Sequence, residues 1–136
     1  MPRPSHHERT GEPSQRQLRV GEELRHALAQ LLRPGELRDP MLYDANITVT
    51  EVQVSPDLRN ATAFVMPLAG AQATDIVAAL RRSAPFLKGR VARTVRLRHV
   101  PNLSFDLDSA FDSAERIDAL LRSEPVARDL QDGDDG

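Results

Sequence analysis

Ile76, Leu80, Ala84, Leu87 and Val91 recur at the spacing of one helical face, and Pro85 stands in their midst. A proline there cannot donate to the carbonyl of Arg81, four residues back, and its ring crowds that carbonyl. It also pushes the preceding residue, Ala84, away from the α region. In the first turn of a helix the same proline is well tolerated. Both demands are met if one helix ends near Arg82, the chain turns at Ser83-Ala84, and a second helix starts at Pro85. Leu87 and Val91 then bind the second helix to the surface that Ile76 and Leu80 cover. The amides of Phe86 and Leu87 are expected to stand free at the new start, where a helix attracts anions.

The charge around this bend is one-sided. Arg81, Arg82, Lys88, Arg90, Arg93, Arg96 and Arg98 lie within residues 76–105, which hold no acidic residue. Residues 106–136 hold ten acidic residues and three arginines. The net charge of −2 hides this segregation, which suggests a polyanion-binding surface beside an acidic tail. Lys88 is the one lysine among eighteen basic residues. Arginine holds phosphate through a planar fork. A coding bias for arginine gives the same count, so the excess alone leaves both readings open.

The remaining elements follow from periodicity. Val20, Leu24, Ala27, Leu28 and Leu31 mark an amphipathic helix over Ser14 to Arg33, ended by Pro34-Gly35. Arg16, Arg19 and Arg25 lie off its apolar stripe and are candidates for further contacts to a polyanion. "NITVTEVQVSPDLRNATAFVMPL" reads as a β-hairpin, with Pro56 and Asp57 central in the turn. Ile47 and Val49 share one phase and Val52 and Val54 the other, so a bulge is expected at Thr50-Glu51. Thr62, Phe64, Met66 and Leu68 alternate along the second strand, and Pro67 places its end near a sheet edge. Thr74 or Ala73 opens the helix that reaches the bend, with Asp75 favourable in its first turn.

From Val95 the period becomes two. Leu97, His99, Leu103, Phe105 and Leu107 are expected on one strand face, with Arg96 and Arg98 on the other. His99 then reads as a packed, neutral side chain. Phe86 reads as a shoulder of the core, because the chain has four Phe, one Tyr and no Trp to fill it. Phe111, Ala114, Ile117 and Leu121 sketch a short last helix. Residues 1–13 and 123–136 read as disordered tails around one domain at 14–122. The expected fold is α+β, with helices on one face of a three-stranded sheet.

Catalysis and metals find little support. There is no cysteine, and the seven glycines form no phosphate loop. His6 and His7 diverge as neighbours and have no third ligand nearby. Asp106, Asp108 and Asp112 suit a solvated turn better than a metal cluster. Ser104 and His99 fall on opposite phases, which breaks any triad with Asp106. No apolar run is long enough to span a membrane, and the polar N-terminus lacks the apolar stretch of a signal peptide.

The frame "VGEELRHALAQLL", "LRDP", "ITVTEVQVSPDLRNATAFVMPL" and "LRRSAPFLKGRVARTVRLRHVPNLSFDLDSAFDSAERIDALL" resembles the ribosome-binding factor A family from about Ser14 to Leu121. "VSPDLRNA", "RLRHVPNLSF" and "SAERIDALL" carry the resemblance most specifically. The family comprises bacterial assembly factors for the small ribosomal subunit. The resemblance implies a type II KH-like single domain of order α-β-β-α-(kink)-α-β with a short C-terminal helix. It implies a cytoplasmic, non-catalytic monomer that binds the free 30S subunit and its 16S rRNA during late maturation and rRNA processing. No cofactor, small-molecule substrate or membrane is implied.

The family bends its helix pair at an Ala-x-Gly kink; the matching positions here are Ser83, Ala84 and Pro85. Neither end residue matches. Proline enforces the bend by another route and puts a ring where glycine leaves space for RNA. The RNA-binding role carries over to Ser83, Ala84 and the basic residues around them. The residues by themselves also admit a small helix-turn-helix-like DNA-binding protein, or an adaptor whose basic block meets an acidic protein.

Overall fold

A computed structural model describes residues 12–68, 72–110 and 121. The elements run α1 (Gln15–Leu31), α2 (Pro40–Tyr43), β1 (Ile47–Val54), β2 (Asn60–Pro67), α3 (Ala73–Arg82), α4 (Ala84–Thr94) and β3 (Asn102–Leu107). The expected last helix and both expected tails lie largely outside the described residues. The strand order is β1-β2-β3, antiparallel between β1 and β2 and parallel between β2 and β3.

α1 begins as its sequence dictates. Ser14 caps it in a reciprocal box: the Gln17 amide N–H donates to Ser14 Oγ at 3.0 Å, and the Ser14 N–H donates to Gln17 Oε1 at 2.8 Å. Gln17 is buried, and its Nε2 donates to the Val54 carbonyl at 2.9 Å, so the buried amide finds partners at both ends. Val20, Leu24, Ala27, Leu28 and Leu31 are buried below. Gly21 is where α1 meets β1: a Cβ at this position would lie 2.5 Å from the Val52 carbonyl oxygen.

The short α2 escaped the sequence reading. Its signal was present: Asp39 accepts from the Met41 amide at 2.8 Å, and Pro40 occupies the first turn.

The hairpin matches its sequence. Pairing shifts register between Val49 and Glu51, which is the expected bulge. Leu58 N–H donates to the Ser55 carbonyl at 2.8 Å, closing a turn with Pro56 and Asp57 at its centre. Three rungs face the helices: Val49, Val65 and Leu107; Val52, Ala63 and Phe105; Val54, Ala61 and Leu103.

The alternation along β2 is present, and the packing decides which phase faces the helices. Ala61, Ala63 and Val65 point into the core, and Thr62 and Met66 lie on the far face at half exposure. Phe64 is buried on that far face. Small residues inside β2 let the helices come close, and the leucines of those helices supply the core volume there. Pro67 is the last residue of the central strand, not of an edge strand, and β3 ends one rung earlier at Val65.

The bend lies one residue earlier than expected. Ser83 is the sole break between α3 and α4, and Ala84 is already the first residue of α4. At the irregularity Ser83 has ψ −1°, and its N–H is shared between the Ala79 carbonyl at 3.0 Å and the Leu80 carbonyl at 3.1 Å. The Leu87 amide is not free; it donates to the Ser83 carbonyl at 2.8 Å. Ser83 makes no side-chain cap. Leu87 and Val91 are fully buried, so the apolar face does pass through the break.

β3 starts at Asn102, so residues 95–101 are irregular and have no two-residue period. His99 is accordingly exposed and not packed, and Arg96 and Arg98 stand on a loop and not on a strand face. Pro101, which lacks a ladder donor, is buried at the junction.

Two stability measurements check this packing. Helix propensity favours Gly21→Ala by about 1 kcal/mol, but overpacking against backbone costs about 1–3 kcal/mol, so a net loss and a lower thermal midpoint are expected. Pro85→Ala should lose no more than about 1 kcal/mol in urea unfolding, through the freer unfolded chain, because buried Leu87 and Val91 hold the break in place. A gain in stability for either variant would contradict the packing described.

Candidate nucleic-acid interface

The structure distributes the basic block over several places. Lys88 and Arg98 line a groove of about 560 Å³ together with Arg16, Arg59, His99 and Asn102. Three separate elements and a loop meet there: the start of α1, the β1–β2 turn, α4 and residues 97–102. Lys88 Nζ donates to Asn102 Oδ1 at 2.8 Å, which holds the ammonium across the groove floor.

The one carboxylate in the groove lining belongs to Asp57. Its pKa is lowered, first by the hydrogen bond from the Ser55 hydroxyl at 2.6 Å and then by the Arg59 amide at 3.1 Å. Four cationic side chains therefore face one ionised carboxylate that is already occupied by the turn. Arg59 had drawn no attention in the sequence, where it is only the end of a turn. Its signal was its place next to the turn centre, which a hairpin projects outward.

A second pocket, of about 420 Å³, lies beside the helix break. Ser83, Phe86 and Arg90 form one wall, and Glu36, Leu37, Arg38 and Asp39 form the other. Phe86 is not a core shoulder: it is 55% exposed, with the Arg90 guanidinium carbon 5.7 Å from its ring centroid. Ala84 packs half-buried against the core and lines neither cavity.

The arginines ahead of the break are locally paired. Arg81 donates to the Phe105 carbonyl at 3.1 Å and to Asp106 Oδ1 at 3.4 Å. Arg82 lies 3.6 Å from Asp39 Oδ2. These arginine side chains are about 60% exposed, and such surface pairs contribute at most about 1 kcal/mol, so a phosphate can compete for them. Arg93, Arg96 and Arg19 are exposed and line neither cavity. Arg25 is bound to Glu22 through 3.1 and 2.5 Å contacts, and each partner stabilises the other's charged form.

The acidic end of β3 is also committed to structure. The Asp108 carboxylate accepts from the Thr50 hydroxyl and, at 2.7 Å, from the Ala110 amide. Asp112 lies outside the described residues. Ser104 Oγ meets Thr62 Oγ1 at 3.1 Å across the strands. Among the described residues, no group of three potential ligands could hold a metal, and no helix is long and apolar enough to cross a membrane.

The chain is 54% identical to a ribosome-binding factor A of Paramagnetospirillum magneticum over 134 residues, covering 91% of this chain and 94% of that one. It is 49% identical to that of Rhodopseudomonas palustris, covering 97% and 98% of the two chains. The crystal structure of ribosome-binding factor A from Thermus thermophilus superposes with a TM-score of 0.57 at 28% identity, over 67% of this chain and 94% of that one. A Thermus thermophilus homology model fitted into the cryo-EM map of a complex with the 30S subunit gives 0.52 at 31% identity, over 65% and 91%. The α+β fold described above is thus the KH-like fold of those proteins. With the ribosome-binding factor A model matching residues 16–121 as well, the chain belongs to the ribosome-binding factor A family.

Proposed function

We propose that this protein binds the free small ribosomal subunit through its 16S rRNA late in subunit maturation, assists rRNA processing there, and catalyses no reaction itself. The observation that carries the proposal is the groove in which Arg16, Arg59, Lys88 and Arg98 converge against a single carboxylate. Support for the ribosomal target comes from the Thermus thermophilus relative fitted into a 30S complex. Contacts of this kind go to phosphates, which set position and orientation and carry no sequence information.

Arg81, Arg82, Arg90, Arg93 and Arg96 extend the cationic surface beyond the groove, with Ser83 and Ala84 at the break. Residues 14–122 form the binding domain, acting as a cytoplasmic monomer. The polar 1–13 and acidic 123–136 are accessory tails, the latter disfavouring other polyanions by like-charge repulsion.

Affinity for 16S rRNA should fall with log salt at a slope of roughly −3, as expected when about four phosphates lose their counterions. Arg59→Glu combined with Arg98→Glu should abolish co-sedimentation with free small subunits. Both positions are exposed, so the thermal midpoint should shift by less than the equivalent of about 0.5 kcal/mol. A flat salt response, or a double variant that sediments with the subunit as the parent does, would remove the groove from the interface. Sedimentation with complete ribosomes as strongly as with free subunits would argue against a maturation role.

A further inference from the structure

The pocket beside the helix break differs in chemistry from the cationic groove. It is lined mostly by apolar surface and holds an aromatic ring that is 55% exposed, whereas a soluble chain with so few aromatics has every reason to bury them. The Arg90 guanidinium lies against that ring at 5.7 Å, so the two planar groups form one shelf. Such a shelf suits a nucleobase, because every base offers a π-face to an aromatic ring or a guanidinium plane.

The opposite wall supplies a directional group. Glu36 is exposed, lines the pocket, and has no hydrogen bond or ion pair from its carboxylate among the described residues. Asp39, its neighbour in the lining, is occupied by the Met41 amide and Arg82. A carboxylate accepts only. Among the four bases, guanine alone places two adjacent donors, N1–H and N2–H, on its Watson–Crick edge. Arg38, also in the lining, suits a phosphate beside a splayed base. The volume of about 420 Å³ falls in the range of small-ligand sites.

We propose that this pocket captures one unpaired guanine of the bound RNA, with Phe86 and Arg90 as the stacking shelf and the Glu36 carboxylate as acceptor for N1–H and N2–H. The proposal rests on the RNA-binding reading above and adds a base-reading site to a surface that otherwise meets phosphates. It also assigns a role to the α3–α4 break, since ending α3 at Arg82 and restarting at Ala84 brings Ser83, Phe86 and Arg90 to one wall.

The test uses the full-length protein and short single-stranded RNAs: an oligouridine, the same oligomer with one central guanosine, and one with a central adenosine. Fluorescence anisotropy over a salt series reads affinity and slope. The guanosine oligomer should bind about tenfold more tightly than the oligouridine. Phe86→Leu should erase that preference, and Glu36→Gln should reduce guanosine to the level of adenosine. Neither variant should change the salt slope, and Glu36→Gln should leave the oligouridine affinity unchanged.

Equal affinity for all three oligomers, with the salt slope intact, would overturn the base pocket and leave phosphate binding standing. Absence of any salt-dependent RNA binding would defeat the RNA-binding reading and the pocket with it. If Phe86→Leu weakens binding to whole small subunits but leaves every oligomer unaffected, the shelf meets a protein and the proposal fails.

Discussion

The contact between α1 and β1 governs the position of nearly everything else. Gly21 lets the helix backbone come so near Val52 that a methyl group could not fit between them. One turn earlier, the buried Gln17 amide is fixed at both ends, to Ser14 in the cap and to the Val54 carbonyl at the end of the strand. Arg16 is the residue before Gln17, so the same bonds set its distance from the β1–β2 turn and from Arg59. The groove is a consequence of helix-to-sheet packing, and its charges are surface residues carried to it by buried ones.

The second constraint is the unbroken apolar face of α3 and α4. Leu80, Leu87 and Val91 are all fully buried, although Ser83 interrupts the helix between them. The break changes the direction in which exposed side chains leave the surface without withdrawing the buried ones from it. Ahead of it, Arg81 and Arg82 reach Asp106 and Asp39. Beyond it, Lys88 crosses to Asn102 and Arg90 lies over Phe86. Seven basic residues close together in sequence thereby serve different neighbourhoods, which an undivided helix with all charges along one stripe would not achieve.

Much of this was legible before any coordinates. Local chemistry announced the start of α1 at Ser14, the hairpin turn at Pro56-Asp57, the bulge after Val49 and a break next to Pro85, because each depends on a few adjacent residues. Thr62, Phe64 and Met66 share one phase of β2 as their alternation indicated, but which face that phase takes was left to the packing, where alanines meet the helices. The readings that failed needed knowledge of neighbours. His99 looked packed because a two-residue period was extended back to Val95, across Pro101 into a loop. Phe86 looked buried on grounds of composition, and Arg59 passed as turn filler.

The sequence by itself determined the family, the α+β class and the segregation of positive charge, since these follow from residue type and spacing along the chain. Tertiary structure alone decided which cations lie together. Arg16, Arg59, Lys88 and Arg98 are remote in sequence and meet only after α1, the hairpin and α4 pack on one sheet. Whether an arginine faces a groove or a carboxylate depends on which side chains surround it, and periodicity along one chain holds no record of that.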